Sequence, residues 1–229
     1  MLIDTLANVF AKLALGRKAI PDKFSLCTYN QLPLLSIDLE LTDLNTNIAK
    51  VTSIGWVAGS MFEVDLSSAH YQVVRAQGDL KQSPVIHGLS AKDIAKGRHI
   101  KEQIDRLKDL VASHVWVFHN AALDLKVISK LWRLLSLEPV TVTAIDTMLM
   151  QVYVMEKTHG FVPSGEVTLG KARAFYDLPD APEHNALDDA VATLTLLFAQ
   201  LYSFDKTGVT TLKDLTHTRA IRTFTLAVD

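Results

Sequence analysis

The sequence has a single cysteine, Cys27, among its 229 residues, and few prolines and glycines, 7 and 10 respectively. One cysteine excludes an internal disulfide and argues against a structural zinc site built from several cysteines. The simplest compartment for such a chain is a reducing cytoplasm. Hydrophobic residues make up 48% and charged residues 21%, which excludes a disordered, collagen-like or low-complexity chain and is typical of a globular protein.

Long apolar runs and a surplus of basic charge are also missing. No stretch approaches the ~20 consecutive apolar residues of a membrane-spanning helix, and the first residues, which include Asp4, do not resemble a secretory signal, so we expect no membrane partner. Lys and Arg number 23 against 25 Asp and Glu, a net charge of −2. A protein that grips a nucleic-acid backbone broadly is usually basic. Any nucleic-acid contact is therefore expected to be local and bridged by metal ions.

The first 30 residues differ from the rest of the chain. Apolar residues at spacings of three and four predict an amphipathic helix that packs on the core: Leu2, Ile3, Leu6, Val9, Phe10 and Leu13. A helix that binds a partner or a membrane surface is less favoured, because the polar face is not rich in Lys or Arg. We predict an N-terminal helical extension over 1–30, a single domain over 31–204, and a C-terminal extension over 205–229 packed on that domain.

The pattern beyond residue 30 predicts strands first and alternating strands and helices later. Strands are predicted at 32–40, 50–57, 61–66, 70–75, 114–118 and 141–145, with a turn at 58–60. Helices are predicted at 100–112, 121–135, 148–156, 169–176 and 186–202. This order predicts an α/β fold in which a mixed sheet is flanked by helices.

Three short polar segments are candidates for chemistry, and the first ends the first predicted strand. Asp38 and Glu40 are two residues apart, so their side chains leave a strand on the same face. Two carboxylates in that position repel each other unless positive charge lies between them. Taken alone, the pair also fits a strand that has already emerged into water.

The second segment joins a predicted strand to a predicted helix. His119 and Asn120 follow the strand, and Asn120 suits a helix N-cap. Asp124 then lies in or near the first turn, where the helix dipole favours an anion. Taken alone, this is ordinary complementation of a helix dipole.

The third segment begins the last predicted helix, which Asn185 can cap. Asp188 resembles the acidic half of a capping box, which gives it a structural role and leaves Asp189 without one. With His184 in the preceding loop, His184 and Asp189 can reach one cleft. A lone histidine at a helix start is more often structural.

Together, in this order and at these spacings, the three segments resemble the motifs of the DEDDh 3′–5′ exonucleases. This family contains the proofreading epsilon subunit of bacterial DNA polymerase III, RNase T and oligoribonuclease. The resemblance covers about residues 34–201, and segments 86–90 and 145–147 also resemble parts of the epsilon-like members. It implies an RNase H-like fold, with a five-stranded mixed sheet and helices on both sides.

The resemblance also implies the site residues and the cofactors. The four acids that match the family's metal ligands, for two divalent cations (Mg²⁺ or Mn²⁺), are Asp38, Glu40, Asp124 and Asp189. His184 matches the catalytic histidine, which near neutral pH can accept a proton from the attacking water. Carboxylate oxygens suit these cations, and two such ions can activate a water and stabilise the leaving oxygen.

The implied activity is hydrolysis of phosphodiester bonds from the 3′ ends of single-stranded or frayed DNA, with release of nucleoside 5′-monophosphates. The implied substrate contacts are Leu41, Thr42, His119 and Asn120. One alternative is an exoribonuclease of the same fold, since that choice depends on contacts to the 2′-hydroxyl. Another is a non-catalytic nucleic-acid-binding or polymerase accessory module, against which the presence of all five catalytic-type residues argues.

Two further features concern substrate fit and partners. Family members commonly read Asp-x-Glu-Thr-Thr-Gly, whereas this chain has Leu41 and Asp43 at the fourth and sixth positions, and Leu123 stands where a phenylalanine is common. These changes keep the metal ligands but affect the fit of the terminal nucleotide. Segments 31–35 and 200–204 faintly resemble sliding-clamp-binding peptides, which leaves a clamp or polymerase partner open.

Overall fold

A computed structural model of the chain describes residues 19–78, 80, 88–182 and 184–227. The predicted helix over 2–13 and residues 86–87 of the epsilon-like segment lie outside these residues. Within 19–30, the structure has a short helix, α1 (Asp22–Ser25), and a 3-10 helix (Tyr29–Gln31). Phe24 and Tyr29 are buried, so this part of the predicted extension packs into the core. The predicted domain boundaries themselves stay a prediction.

Six strands form one mixed sheet in the order β3-β2-β1-β4-β5-β6. They are β1 (Leu34–Leu41), β2 (Val51–Ser60), β3 (Glu63–Val73), β4 (Val115–Phe118), β5 (Val140–Asp146) and β6 (Ile221–Leu226). β1, β4 and β5 are parallel, while the pairs β1–β2, β2–β3 and β5–β6 are antiparallel. The predicted α/β class is confirmed, but the sheet has six strands rather than five, because the C-terminal segment pairs with the edge of β5.

Helices cover the sheet at its two faces. Beyond α1 they are α2 (Ala91–Lys96), α3 (Ile100–Val111), α4 (Ala121–Leu134), α5 (Thr147–His159), α6 (Leu169–Phe175) and α7 (Ala186–Phe204). A second 3-10 helix spans Asp214–Thr218. The last five match the predicted helices closely, whereas α2 has no predicted counterpart. None of the helices in the described part of the chain is long and apolar enough to cross a bilayer.

The hairpin between β2 and β3 differs from the sequence prediction. β2 runs through the predicted turn at 58–60, and the turn lies instead at Met61 and Phe62, whose φ angles are 50° and 63°. Two successive residues with positive φ are typical of a tight two-residue hairpin. Gly59 lies in β2, where only glycine fits because a Cβ would lie 2.5 Å from the Glu63 carbonyl oxygen. The two predicted segments at 61–66 and 70–75 form one strand, β3.

Successive side chains of β1 point to opposite faces of the sheet, so the strand contributes to a hydrophobic core on each face. Leu35, Ile37 and Leu39 belong to the cluster that includes residues of α3 and α4, whereas Leu34 belongs to the cluster that includes residues of α7. Burying each such side chain contributes roughly 1.5–3 kcal/mol. Asp38 and Glu40 share the parity of Leu34, so the strand directs both carboxylates to the face covered by α7.

Candidate active site

The carboxylates of β1 meet an acid from the first turn of α7. Asp38, Glu40 and Asp189 each offer an oxygen, and these oxygens lie within 4.8 Å of one another. Glu40 is buried, and the other two are partly buried. Three carboxylates this close repel one another in a poorly solvated site. The arrangement therefore suits a bound cation.

Asp124 lies buried in the first turn of α4, outside the group of acids whose oxygens are within 4.8 Å of one another, but close enough for its charge to act on Asp38. Burial raises the pKa of Asp38 well above its usual range, and the negative charges of Asp124, Glu40 and Asp189 raise it further. Burial likewise raises the pKa of Asp124, to which the charges of Asp146 and Glu40 contribute, while hydrogen bonds from the backbone oppose the shift. The structure thus brings all four predicted acids into one electrostatic field.

The loop before α7 places His184 beside the acids. The His184 amide donates to Asp189 Oδ2 at 3.2 Å, and His184 has a left-handed backbone with φ of 66°. Its exposed side chain lines a cavity of about 380 Å³ together with Asp38 and Asp189. His184 and Asp189 therefore reach one cleft, as the sequence predicts.

The start of α7 is capped by Asn185, whose Oδ1 accepts hydrogen bonds from the amides of Leu187 (3.0 Å) and Asp188 (3.3 Å). Asp188 therefore enters the cap through its backbone amide. The charge of the Asp188 carboxylate acts on Tyr71 of β3, whose pKa is raised by burial first and by the charges of Glu40 and Asp188 as well. The sequence analysis did not single out Tyr71, because only strand pairing brings it here.

The predicted cap at α4 is wrong in one respect. Asn120 stands at the N-cap position with φ of 72°, but its side chain makes no capping hydrogen bond. The buried carboxylate of Asp146 accepts from the amides of Asn120 (3.2 Å) and Ala121 (3.0 Å), and it also caps its own helix through Met148 (3.0 Å). One carboxylate at the end of β5 thus supplies the acceptor for two helix starts and positions the turn that carries Asp124.

His119 lines the same cavity, but both of its ring nitrogens already have protein partners. Nε2 lies 3.0 Å from the Val167 carbonyl oxygen, to which it donates, and Nδ1 lies 2.8 Å from the Thr147 hydroxyl. Burial lowers the pKa of His119 to about 4. The ring is therefore neutral near pH 7 and contributes shape to the cavity wall.

Leu41, Thr42 and Asp43 follow the acids at the end of β1. Leu41 packs against the cluster on the α4 face, and the Thr42 hydroxyl accepts from the Lys50 amide at 3.0 Å. Asp43 Oδ1 accepts from the Asn45 amide at 2.7 Å, so the acid that replaces the family's glycine closes a turn. This contact gives the departure at position 43 a local structural role.

Arg173 of α6 is a buried residue that the sequence analysis did not select. Its Nη1 donates to the Ala192 carbonyl and to the Thr195 hydroxyl of α7, at 2.8 and 2.7 Å, and its Nη2 donates to the Pro179 carbonyl at 2.8 Å. The guanidinium thereby joins α7 to the loop that leads to His184. The sequence around Arg173 does not indicate these hydrogen bonds, because the residues that accept them lie on other segments of the chain.

Comparison with solved structures identifies the fold. Cell-death related nuclease 4 (CRN-4) matches with a TM-score of 0.65 at 15% identity, over 80% of this chain and 67% of that chain. Exonuclease X in complex with 5′ overhanging duplex DNA matches with a TM-score of 0.58 at 20% identity, over 80% of this chain and 99% of that chain. The zinc-bound E. coli ExoI–ssDNA complex matches with a TM-score of 0.64 at 13% identity, over 82% of this chain and 43% of that chain. The predicted RNase H-like fold is confirmed.

Comparison at the level of sequence identifies the family. No curated protein sequence matches the chain significantly. The model of the RNase_T exonuclease family matches residues 35–197, which is more than half of the chain. The likeness to the epsilon subunit in particular stays a prediction. The chain therefore belongs to the RNase_T exonuclease family, whose members are DEDD-type 3′–5′ exonucleases.

Proposed function

We propose that the protein removes nucleotides one at a time from the 3′ end of single-stranded or frayed DNA and releases nucleoside 5′-monophosphates. One observation carries this proposal: carboxylate oxygens of Asp38, Glu40 and Asp189 lie within 4.8 Å of one another, close to Asp124 and to an exposed histidine. A site made of carboxylates and one histidine fits phosphodiester hydrolysis, whose substrate is anionic and whose nucleophile is water.

The four acids are the residues that would hold divalent cations. All the ligand atoms are carboxylate oxygens, which are hard donors and favour Mg²⁺ or Mn²⁺. Four ionised carboxylates carry −4, and two divalent ions would balance that charge. Bound ions would supply the positive charge that an attacked phosphodiester and its leaving 3′-oxygen require. The count of two ions is part of the proposal.

His184 is the residue that we assign to proton transfer. It lies in a loop, its side chain is exposed to the cavity, and Asp38 and Asp189 line that same cavity. An imidazole there can take the proton of the attacking water. The hydrogen bond from its own amide to Asp189 holds the histidine close to the acids.

DNA is favoured over RNA because the structural relatives named above include Exonuclease X in complex with duplex DNA and an ExoI–ssDNA complex. RNA stays the alternative substrate. A polymerase or sliding-clamp partner is also only a prediction. The leucines of the two clamp-like segments, Leu32, Leu34, Leu35 and Leu201, are buried in the core.

The test is digestion of matched DNA and RNA 12-mers, labelled at the 5′ end, with Mg²⁺, Mn²⁺ or EDTA. We expect a ladder that shortens by one nucleotide at a time with either cation and none with EDTA, and faster digestion of DNA. Asp38→Asn should abolish the ladder. Asp105→Asn is the matched control, because Asp105 is a half-exposed acid of α3 that pairs with Lys101. Intact oligomers with every cation would refute the proposal, and faster digestion of RNA would favour the exoribonuclease.

A further inference from the structure

A second, larger cavity opens beside the catalytic one. Its volume is about 930 Å³, near the top of the roughly 300–1,000 Å³ usual for ligand sites. His119, Thr168 and Leu169 line both cavities, so the two are neighbours with a shared wall. We call the larger cavity the C-terminal groove, because His217, Thr218, Arg219 and Arg222 form one of its sides.

The fold explains why this side reaches the active site. β6 runs antiparallel to β5, with Ile221 opposite Ile145, and the Asp146 amide donates to the Ala220 carbonyl at 3.0 Å. The start of β6 therefore lies at the same end of the sheet as the ends of β1 and β4, which carry the acids and His119. The family match stops at residue 197, so these residues lie beyond the matched region.

The chemistry of the groove suits a single strand of nucleic acid. Among the described residues that line it, Lys157, Arg219 and Arg222 are cations and Glu156 is an acid, in a protein whose net charge is −2. Met148, Leu149, Val152 and Val162 give it an apolar floor. The Tyr153 ring also lines the groove and packs edge-on against His217 at 5.1 Å. Positive charge for phosphates beside apolar and aromatic surface for bases is the usual pattern of single-strand binding.

From this arrangement the geometry points to a binding site, in the C-terminal groove, for the part of the substrate strand that lies 5′ to the scissile bond. Arg219 and Lys157 contact its phosphates, and Arg222 lies deeper on the same side. The inference rests on the proposed function, since a 3′ end in the catalytic cavity leaves the rest of the strand to run along a neighbouring surface. It assigns to the segment after residue 204 a role in holding substrate.

The test compares binding and turnover in a variant that removes two exposed cations, Lys157→Gln/Arg219→Gly. Glycine suits position 219, where φ is 64°, so this change should not strain the backbone. The matched control is Lys92→Gln/Lys108→Gln, which removes two exposed cations from α2 and α3, the helices beside the opposite edge of the sheet. Arg222→Gln is a second, independent variant.

The first readout is fluorescence anisotropy of 5′-fluorescein-labelled dT10 in EDTA, which needs no turnover. We expect the groove variant to bind about 5- to 50-fold more weakly than the parent and the control. Loss of two phosphate contacts should also lower the slope of log Kd against log salt by about 1.4. Equal affinity and equal slope in the groove variant and the parent would overturn the inference.

The second readout is hydrolysis of dT10 and of the p-nitrophenyl ester of thymidine 5′-monophosphate, a substrate with no upstream strand. The groove variant should raise KM for dT10 and leave the ester rate within about twofold of the parent. A parallel loss on both substrates would overturn the inference, because it places the cations at the reaction itself. A parent protein that hydrolyses neither substrate would refute the proposed function. The anisotropy result would still decide whether the groove binds single-stranded DNA.

Discussion

Gly55 lies directly opposite Asp38 in the ladder between β2 and β1. A Cβ at position 55 would lie 2.3 Å from the Leu187 amide nitrogen and 2.5 Å from the Ala186 carbonyl oxygen. Real Cβ atoms do not approach backbone that closely. Glycine at this position therefore lets the first turn of α7, with Asp189, come up against the strand that carries Asp38.

Gly55→Ala should consequently damage both the fold and the site. The new methyl group meets backbone atoms and not the flexible end of a side chain, so α7 must move away from β2. We expect a loss of about 1–3 kcal/mol in the free energy of unfolding and weaker Mn²⁺ binding, measured by urea unfolding and by titration calorimetry. Unchanged Mn²⁺ affinity in the folded variant would show that Asp189 is not held by this contact.

Adjacent aspartates in α7 should respond differently to substitution. Asp189→Asn should nearly abolish turnover, because its oxygen lies in the acidic cluster. Asp188→Asn should keep turnover within about threefold, since Asp188 contributes only its amide to the helix cap and its carboxylate is not part of the acidic cluster. Initial rates on labelled DNA with Mn²⁺ test this. Equal losses in two equally stable variants would mean that the ligand has been assigned to the wrong residue.

His184→Ala should slow turnover and leave cation binding nearly intact. A general base contributes roughly 10²–10⁴-fold, so a loss of kcat in that range is expected. The side chain is exposed, so stability should change little. Mn²⁺ affinity by calorimetry and kcat on DNA are the two measurements. Full activity in the variant would refute the assignment of His184 as the base.

Arg173 should act on turnover through His184, because its guanidinium ties the Pro179 carbonyl to α7. The single nitrogen of lysine cannot occupy the positions of both Nη1 and Nη2, so in Arg173→Lys we expect kcat to fall about tenfold and stability to fall by about 1–3 kcal/mol. The decisive measurement is a double-mutant cycle at a temperature where all variants are folded. If Arg173 positions His184, Arg173→Lys should cost nothing further in a His184→Ala background. Additive losses in kcat would show that Arg173 acts independently of the histidine.

His119 should make the protein sensitive to mild acid. Its pKa is lowered to about 4 by burial, against about 6.5 in an unfolded chain. Between about pH 6.5 and pH 4 the imidazole of His119 is protonated in the unfolded state but neutral in the folded state. The folded state is therefore destabilised relative to the unfolded state as the pH falls through this range. Between pH 7.5 and pH 5 this loss is about 2 kcal/mol.

His119→Gln is the control for that effect, because an amide can donate and accept hydrogen bonds but does not titrate. Urea unfolding at pH 7.5 and pH 5 should show a drop about 2 kcal/mol smaller in this variant than in the parent. The other acids and histidines are common to both proteins and cancel in the difference. An identical pH dependence in the two proteins would rule out His119 as its source.

Much of the site can be predicted from local sequence. The spacing of Asp38 and Glu40 places two carboxylates on one face, and Asn185 caps a helix whose first turn carries Asp188 and Asp189. Such relations involve residues within one turn or one strand, where the repeat of the backbone fixes the direction of each side chain. The same local rules predict most strands and helices to within a few residues.

Other features depend on contacts between segments far apart in the chain, and no local pattern encodes them. Asp146 replaces Asn120 as the cap of α4 because a neighbouring parallel strand ends beside that helix. Gly55 matters because α7 packs on β2, although in sequence it reads as one more strand residue. Arg219 lines the groove beside the catalytic cavity because β6 runs antiparallel to β5, which places the start of β6 at the end of the sheet where β1 and β4 carry the acids and His119.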